Sequence, residues 1–243
     1  MSRIPILSLF VLLSLSLAGC SDPPLINALD DGDEKLALTL IEQGADINAR
    51  NRADDPVLAV AIRDGYEEVV QSLLHKNVDV NAKGDLGVTP LMLAISGEHP
   101  ELARALIERG ADVNAEDRMG NNAMIIMPLK DDVQLIQLLI DKGAGVNKVN
   151  KNGLSPLMVA SFLGHVEIMK LLLAQGAKVD AQTVDGSTAL MRAARQGHVE
   201  AVRLLLANGA DPKLRNSDGE MAITWARKHN RQEVMELLTA AGD

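Results

Sequence analysis

The stretch that decides the fold runs from Thr89 to Asn121, TPLMLAISGEHPELARALIERGADVNAEDRMGN. Thr89 can cap a short helix, and Pro90 suits its first turn, where a missing amide hydrogen leaves nothing unbonded. Leu91 and Ala94 face inward from that helix, which breaks near Gly97. Pro100 then opens a second helix that buries Leu102, Leu106 and Ile107 at helical spacing. Gly110 stands where a left-handed residue ends that helix. Val113 anchors an extended segment, and Gly120 turns the chain onward.

Outward from this stretch the same parts recur at steps of 33 residues. GADINA begins at Gly44, NVDVNA at Asn77, GADVNA at Gly110, GAGVNK at Gly143, GAKVDA at Gly176 and GADPKL at Gly209. A leucine column keeps the step through Leu40, Leu73, Leu106, Leu139, Leu172, Leu205 and Leu238. One helix pair cannot bury its apolar face alone, whereas stacked copies can. Composition agrees: 47% of residues are apolar but only 2% aromatic, so the core is built from Leu, Ile, Val, Ala and Met. That suits small repeated helix contacts better than a sheet sandwich.

The unit resembles the ankyrin repeat, whose first helix carries the signature T-P-L-H-x-A. Here it reads Thr89-Pro90-Leu91-Met92-Leu93-Ala94, Ser155-Pro156-Leu157-Met158-Val159-Ala160 and Thr188-Ala189-Leu190-Met191-Arg192-Ala193. The resemblance implies an all-α ankyrin-repeat solenoid of helix-turn-helix units with short β-hairpin-like loops. It covers residues 23–243 in about seven repeats including caps, with units starting near 23, 56, 89, 122, 155, 188 and 221. The family histidine of the signature is replaced by Ile26, Ala59, Met92, Ile125, Met158, Met191 and Thr224, which removes its hydrogen bonds and predicts a looser stack. Pro128, late in the first helix of the fourth unit, predicts a shortened or bent helix there.

A net charge of −9 argues against a nucleic-acid partner, because that contact is dominated by Lys and Arg. No nucleophile elbow, phosphate-cradling loop or zinc-protease helix is present, so the sequence indicates no enzyme and no cofactor. Metal binding is not expected either. His99, His165 and His198 share one column, but units about 10 Å apart cannot place them on one ion. The resemblance makes them structural hydrogen-bonders. The doublets Asp30-Asp31, Asp54-Asp55 and Asp131-Asp132 fall at turns, where aspartate bonds locally.

The one cysteine, Cys20, excludes an intramolecular disulfide. It follows Arg3 and an apolar run from Ile4 to Leu17, too short to span a membrane and arranged as a secretory leader. Leu17-Ala18-Gly19-Cys20 resembles the lipobox of bacterial lipoproteins. That likeness implies cleavage of residues 1–19, lipidation of Cys20 and a tether of residues 20–22. The protein would then be membrane-anchored in the cell envelope, facing the periplasm. Ser21, standing where aspartate would favour the inner membrane, points to the outer one.

In ankyrin proteins the hairpin positions and the exposed end of the first helix line a concave groove for a partner protein. Carried onto this chain, the outer units present mostly charge there. The middle units present Leu86, Val88, Met119, Leu129, Leu154, Phe162, Leu163 and Val184, with Arg195 at the edge. An apolar centre within a polar rim is how interfaces are commonly organised. The expectation is a monomeric lipoprotein that binds another envelope protein through this groove. An immunity protein or inhibitor that neutralises an exported toxin or enzyme, and a general envelope stress or integrity factor, are the alternatives.

Overall fold

The structure, a computed structural model, describes residues 22–126 and 131–242. The leader, Cys20, Pro128 and Leu129 lie outside the described residues. Among the described residues there are thirteen helices and no strand, with one isolated bridge between Arg50 and Pro56. None of those helices is long and apolar enough to cross a membrane. The chain divides into two compact units, one running to Val78 and the other from Asp79.

The first unit holds two helix pairs: α1 (Pro24–Asp30) with α2 (Glu34–Glu42), and α3 (Val57–Asp64) with α4 (Glu67–His75). The pairs stack, α1 on α3 and α2 on α4. The Tyr66 hydroxyl bridges them, donating to the Leu29 carbonyl at 2.8 Å. In α2 the inward residues are Ala37 and Ile41, while Leu40 of the leucine column is only half-buried.

The second unit continues the pattern with α5 (Pro90–Ser96), α6 (Pro100–Glu108), α7 (Val133–Asp141), α8 (Pro156–Leu163), α9 (Val166–Ala174), α10 (Ala189–Gln196), α11 (Val199–Ala207), α12 (Ala222–Lys228) and α13 (Gln232–Gly242). The second helices form an unbroken row, α6 on α7, α7 on α9, α9 on α11 and α11 on α13. Leu106, Leu139, Leu172 and Leu205 are fully buried along it, and Leu238 nearly so. In α6 itself Ala103 is buried and Leu102 only half-buried, a correction to the apolar pattern. The inward face of this nine-residue helix runs through 103, 106 and 107, and residue size did not reveal its phase.

Three of the first helices, α5, α8 and α10, start where hydroxyls stand. Thr89, Ser155 and Thr188 each accept the amide of the residue three on, at 3.2–3.3 Å. At the family histidine's place, the Met92 sulfur takes the Thr89 amide at 3.4 Å, and Met92, Met158 and Met191 are each 1% exposed. Apolar packing and one weak sulfur contact occupy the position left by the imidazole.

Two local features add detail to the sequence reading. The residue with positive φ after α5 is Glu98 (φ 56°), while Gly97 has φ −80°. Gly97 is small for another reason: a Cβ there would lie 2.8 Å from the His99 ring. In the fourth repeat, described residues 123–126 form a turn held by Asn122, whose carbonyl accepts the Ile125 and Ile126 amides. The first-helix row therefore joins α8, α10 and α12, with α5 apart from it.

An asparagine ladder, not anticipated from the sequence, runs beneath the second helices. Asn81, Asn114 and Asn147 each donate to the carbonyl of the next repeat's Gly110, Gly143 or Gly176. Each also accepts an amide from that repeat, at 2.7–3.0 Å. Asp180 continues only the accepting half, from Asp211.

Candidate functional site

The face expected to bind is made of hairpin tips and first-helix ends, and in the second unit its backbone is strictly repeated. Each loop closes by an amide donating four residues ahead: Asp117 to Asn121, Asn150 to Leu154, and Thr183 to Ser187, at 2.9–3.1 Å. The side chain at the loop's start holds the turn from inside. The Asp117 and Asn150 side-chain oxygens each accept two amides, from Met119 and Asn121 and from Asn152 and Leu154 respectively. Consecutive tips are then joined by one backbone bond each. Arg118 donates to Leu86, Lys151 to Met119, Val184 to Asn152 and Ser217 to Asp185, at 2.9–3.0 Å.

This ladder fixes how closely tips approach. Gly186 has φ 75°, and a Cβ on it would lie 2.9 Å from the Asn216 backbone. Gly219, at the equivalent place in the final loop, has the same φ but nothing within 4 Å. Glycine at the first position answers two demands, at the second only one.

Leu86, Met119 and Val184 stand out from the tips, with 60%, 52% and 82% of their surface exposed. Phe162 is 38% exposed at the end of α8. Val88, Leu154 and Leu163 are half-buried. The carbonyls of Val88 and Leu154 close their loops by accepting from Gly84 and Asn150, so these residues belong to the loop arms. Arg195 is exposed at the end of α10, its guanidinium 5.6 Å from the centre of the Trp225 ring. Leu129 lies outside the described residues.

One member of the histidine column, His198, serves as bracing here. The His198 ring Nε2 lies 3.0 Å from the Phe162 carbonyl. One repeat later, Arg231 Nε donates to the Arg195 carbonyl at 3.1 Å. Each contact ties the end of one first helix to the repeat that follows, and so positions the candidate residues Phe162 and Arg195.

Sequence reasoning missed the neighbours of Arg195. The column that holds Val60, Leu93, Ile126 and Val159 changes to Arg192 and then Trp225, both half-buried. Aligning that column at the 33-residue step would have exposed the change. Burial lowers the Arg192 pKa, Asp185 opposes that, and the charge of Arg195 adds to it. Arg192 Nε and Trp225 Nε1 are buried without a hydrogen-bond partner. The Asp185 carboxyl is held below its usual range first by the Thr183 hydroxyl and then by the Ser187 amide and hydroxyl.

A cavity of about 370 Å³ lies elsewhere in this unit, between α5, α6 and the start of α7, with Ile95, His99, Arg104, Asp132 and Leu135 in its wall. Its carboxylate is engaged: Asp132 accepts a two-pronged contact from Arg104 at 3.0 Å and caps α7 through the Leu135 amide. Among the described residues no three His, Cys, Asp or Glu side chains are grouped to hold a metal ion.

The sequence profile "Ankyrin repeats (3 copies)" matches residues 25–117, 58–134, 122–216 and 178–243. No curated protein matches the chain. Among solved structures, the ankyrin repeat domain of Bcl-3, described as a unique member of the IkappaB protein family, is similar at 28% identity. Its TM-score is 0.66, over 90% of this chain and 98% of that one.

Proposed function

Because the chain belongs to the ankyrin-repeat family, we propose that it is a protein-binding module, anchored by lipid at Cys20 on the periplasmic side of a bacterial envelope membrane, with the outer membrane preferred. The observation that carries the binding reading is the pairing of a fixed backbone with free side chains. The hairpin ladder holds the tips by main-chain bonds, and those bonds do not require Leu86, Met119 or Val184 to be apolar. Exposed apolar groups on a rigid, repeated frame are pre-organised for a partner, which reduces the ordering cost of association.

The anchor rests on the leader ending in Leu17-Ala18-Gly19-Cys20. A cysteine thiol is the chain's most nucleophilic side chain and the one that lipid transfer requires. Two acyl chains hold a protein on a membrane stably where one does not. Repeats that begin near Pro23 would keep the domain close to the bilayer.

Replacing Phe162 and Leu163 together by aspartate tests the binding face. Capture of an envelope protein by the wild-type chain should be lost while the helical circular dichroism is unchanged. Capture at wild-type yield would contradict the reading. Cys20→Ala should abolish incorporation of labelled palmitate; persistent labelling would rule the anchor out.

A further inference from the structure

The second unit separates its charges between its two helix rows. The second helices carry Glu101, Glu108, Asp141, Glu167, Glu200, Glu233 and Glu236 against Arg104, Lys170 and Arg203. The first helices α5, α8, α10 and α12 carry no carboxylate, and their cations are Arg192, Arg195, Arg227 and Lys228. In a chain of net charge −9 this row is locally positive.

Arg195 differs from its counterparts in other repeats. In the second repeat the cation at that place, Arg63, donates at 2.8 Å to Asp55 on the loop arm that leads into its helix. In the seventh, Lys228 donates to Glu220 at the same two positions. In the sixth, the arm position holds Ser187, a fully buried hydroxyl that donates to Asp185. Arg195 lies instead over Trp225, and among the described residues it makes no ion pair. Arg192 stands one turn earlier on the same helix, its Nε without an acceptor. The nearby carboxylate, Asp185, already accepts from Thr183 and Ser187. Arg192 therefore faces a carboxylate that its own loop already holds.

We propose that the sixth repeat, at Arg195 and Arg192, receives a carboxylate side chain of an acidic segment of the partner protein, while Phe162 and Val184 of the neighbouring loop and helix hold an adjacent apolar side chain. The proposal rests on the protein-binding reading of this face and names the chemistry of its partner. Arginine suits the role because its planar fork meets a carboxylate through two parallel hydrogen bonds. An extended peptide alternates its side chains at about 3.3 Å per residue, so acidic and apolar residues in alternation present both groups within one short segment. The absence of a carboxylate at position 187 leaves the place open, whereas in repeats two and seven Asp55 and Glu220 fill it.

The test uses the full chain and three ten-residue peptides in which leucine alternates with glutamate, glutamine or lysine. Binding is followed by anisotropy of the labelled peptide and by the fluorescence of Trp225, the chain's single tryptophan. The glutamate peptide should bind about tenfold more tightly than the glutamine peptide, weaken with added salt, and quench or shift Trp225 emission; the lysine peptide should not bind. Arg195→Gln should erase the glutamate preference, and Phe162→Ala should weaken the glutamate and glutamine peptides alike. Equal binding of those two peptides that still depends on Phe162 would overturn the acidic preference and leave the binding face standing. No binding of the glutamate peptide would overturn the proposal. Binding insensitive to both Arg195 and Phe162 would overturn the proposal and the face together.

Discussion

Within the second unit, the second-helix row and the hairpin face are two products of the same 33-residue step, and they treat residue identity in opposite ways. Along the row, one column is leucine in every copy from Leu106 to Leu238, because each side chain fills a space shaped by its neighbours. On the face, one column reads Ser96, Phe162, Arg195 and Lys228 on nearly the same backbone. The main chain carries the stacking there, through tip-to-tip bonds such as Lys151 to Met119. Where backbone bonds hold the architecture, side chains are left for recognition.

The largest effect should come from the row. Leu172 is fully buried in α9, so Leu172→Ala should cost about 2–5 kcal/mol in urea unfolding, through lost transfer energy and the cavity left behind. A cost below that range would mean the row repacks and is not the core.

The next effect separates tip packing from tip conformation. Gly186→Ala meets both the positive φ and the Asn216 backbone at 2.9 Å, and Gly219→Ala meets the φ alone. We expect losses of about 2–3 and about 1 kcal/mol respectively. Equal losses would show that the tips do not lean on one another.

The smallest effect is a gain. Asn230 has φ 56° at the place where Gly164 and Gly197 end the earlier first helices. Asn230→Gly should raise stability by about 0.5 kcal/mol, read as a small upward shift of the thermal midpoint. A loss would show that the asparagine side chain is needed there.

The fold was legible because its signals are local and repeated. Thr89, Ser155 and Thr188 announce helix starts, glycines such as Gly110 announce ends, and the leucine column gives the packing face. Less legible was anything set by the neighbouring repeat. The tip ladder uses main-chain groups, which leave no mark on residue choice except the glycines they crowd. The asparagine ladder was visible as a column, but a polar column at a turn reads equally as local bonding. The inward side of α6 was misjudged at Leu102 because the smaller Ala103 takes the buried place.

The candidate site was legible in part for the same reason. Exposed Leu86, Met119, Val184 and Phe162 follow from counting repeat positions. The environment of Arg195 does not, since it depends on Trp225 in the next repeat and on what its own loop arm lacks at Ser187. Comparing copies of one position reveals it; scanning one copy does not.

The contrast between the two faces can be put to one measurement. A photo-crosslinking residue is placed in the full chain at Met119, Phe162 or Val184 on the hairpin face, or at Lys170 or Arg203, both exposed on the second helices. After irradiation in the bacterial envelope, the first three positions should give covalent adducts to the same partner protein, and the last two should give none. Adducts formed from Lys170 and Arg203 but not from Phe162 would contradict the assignment of the hairpin face as the binding surface.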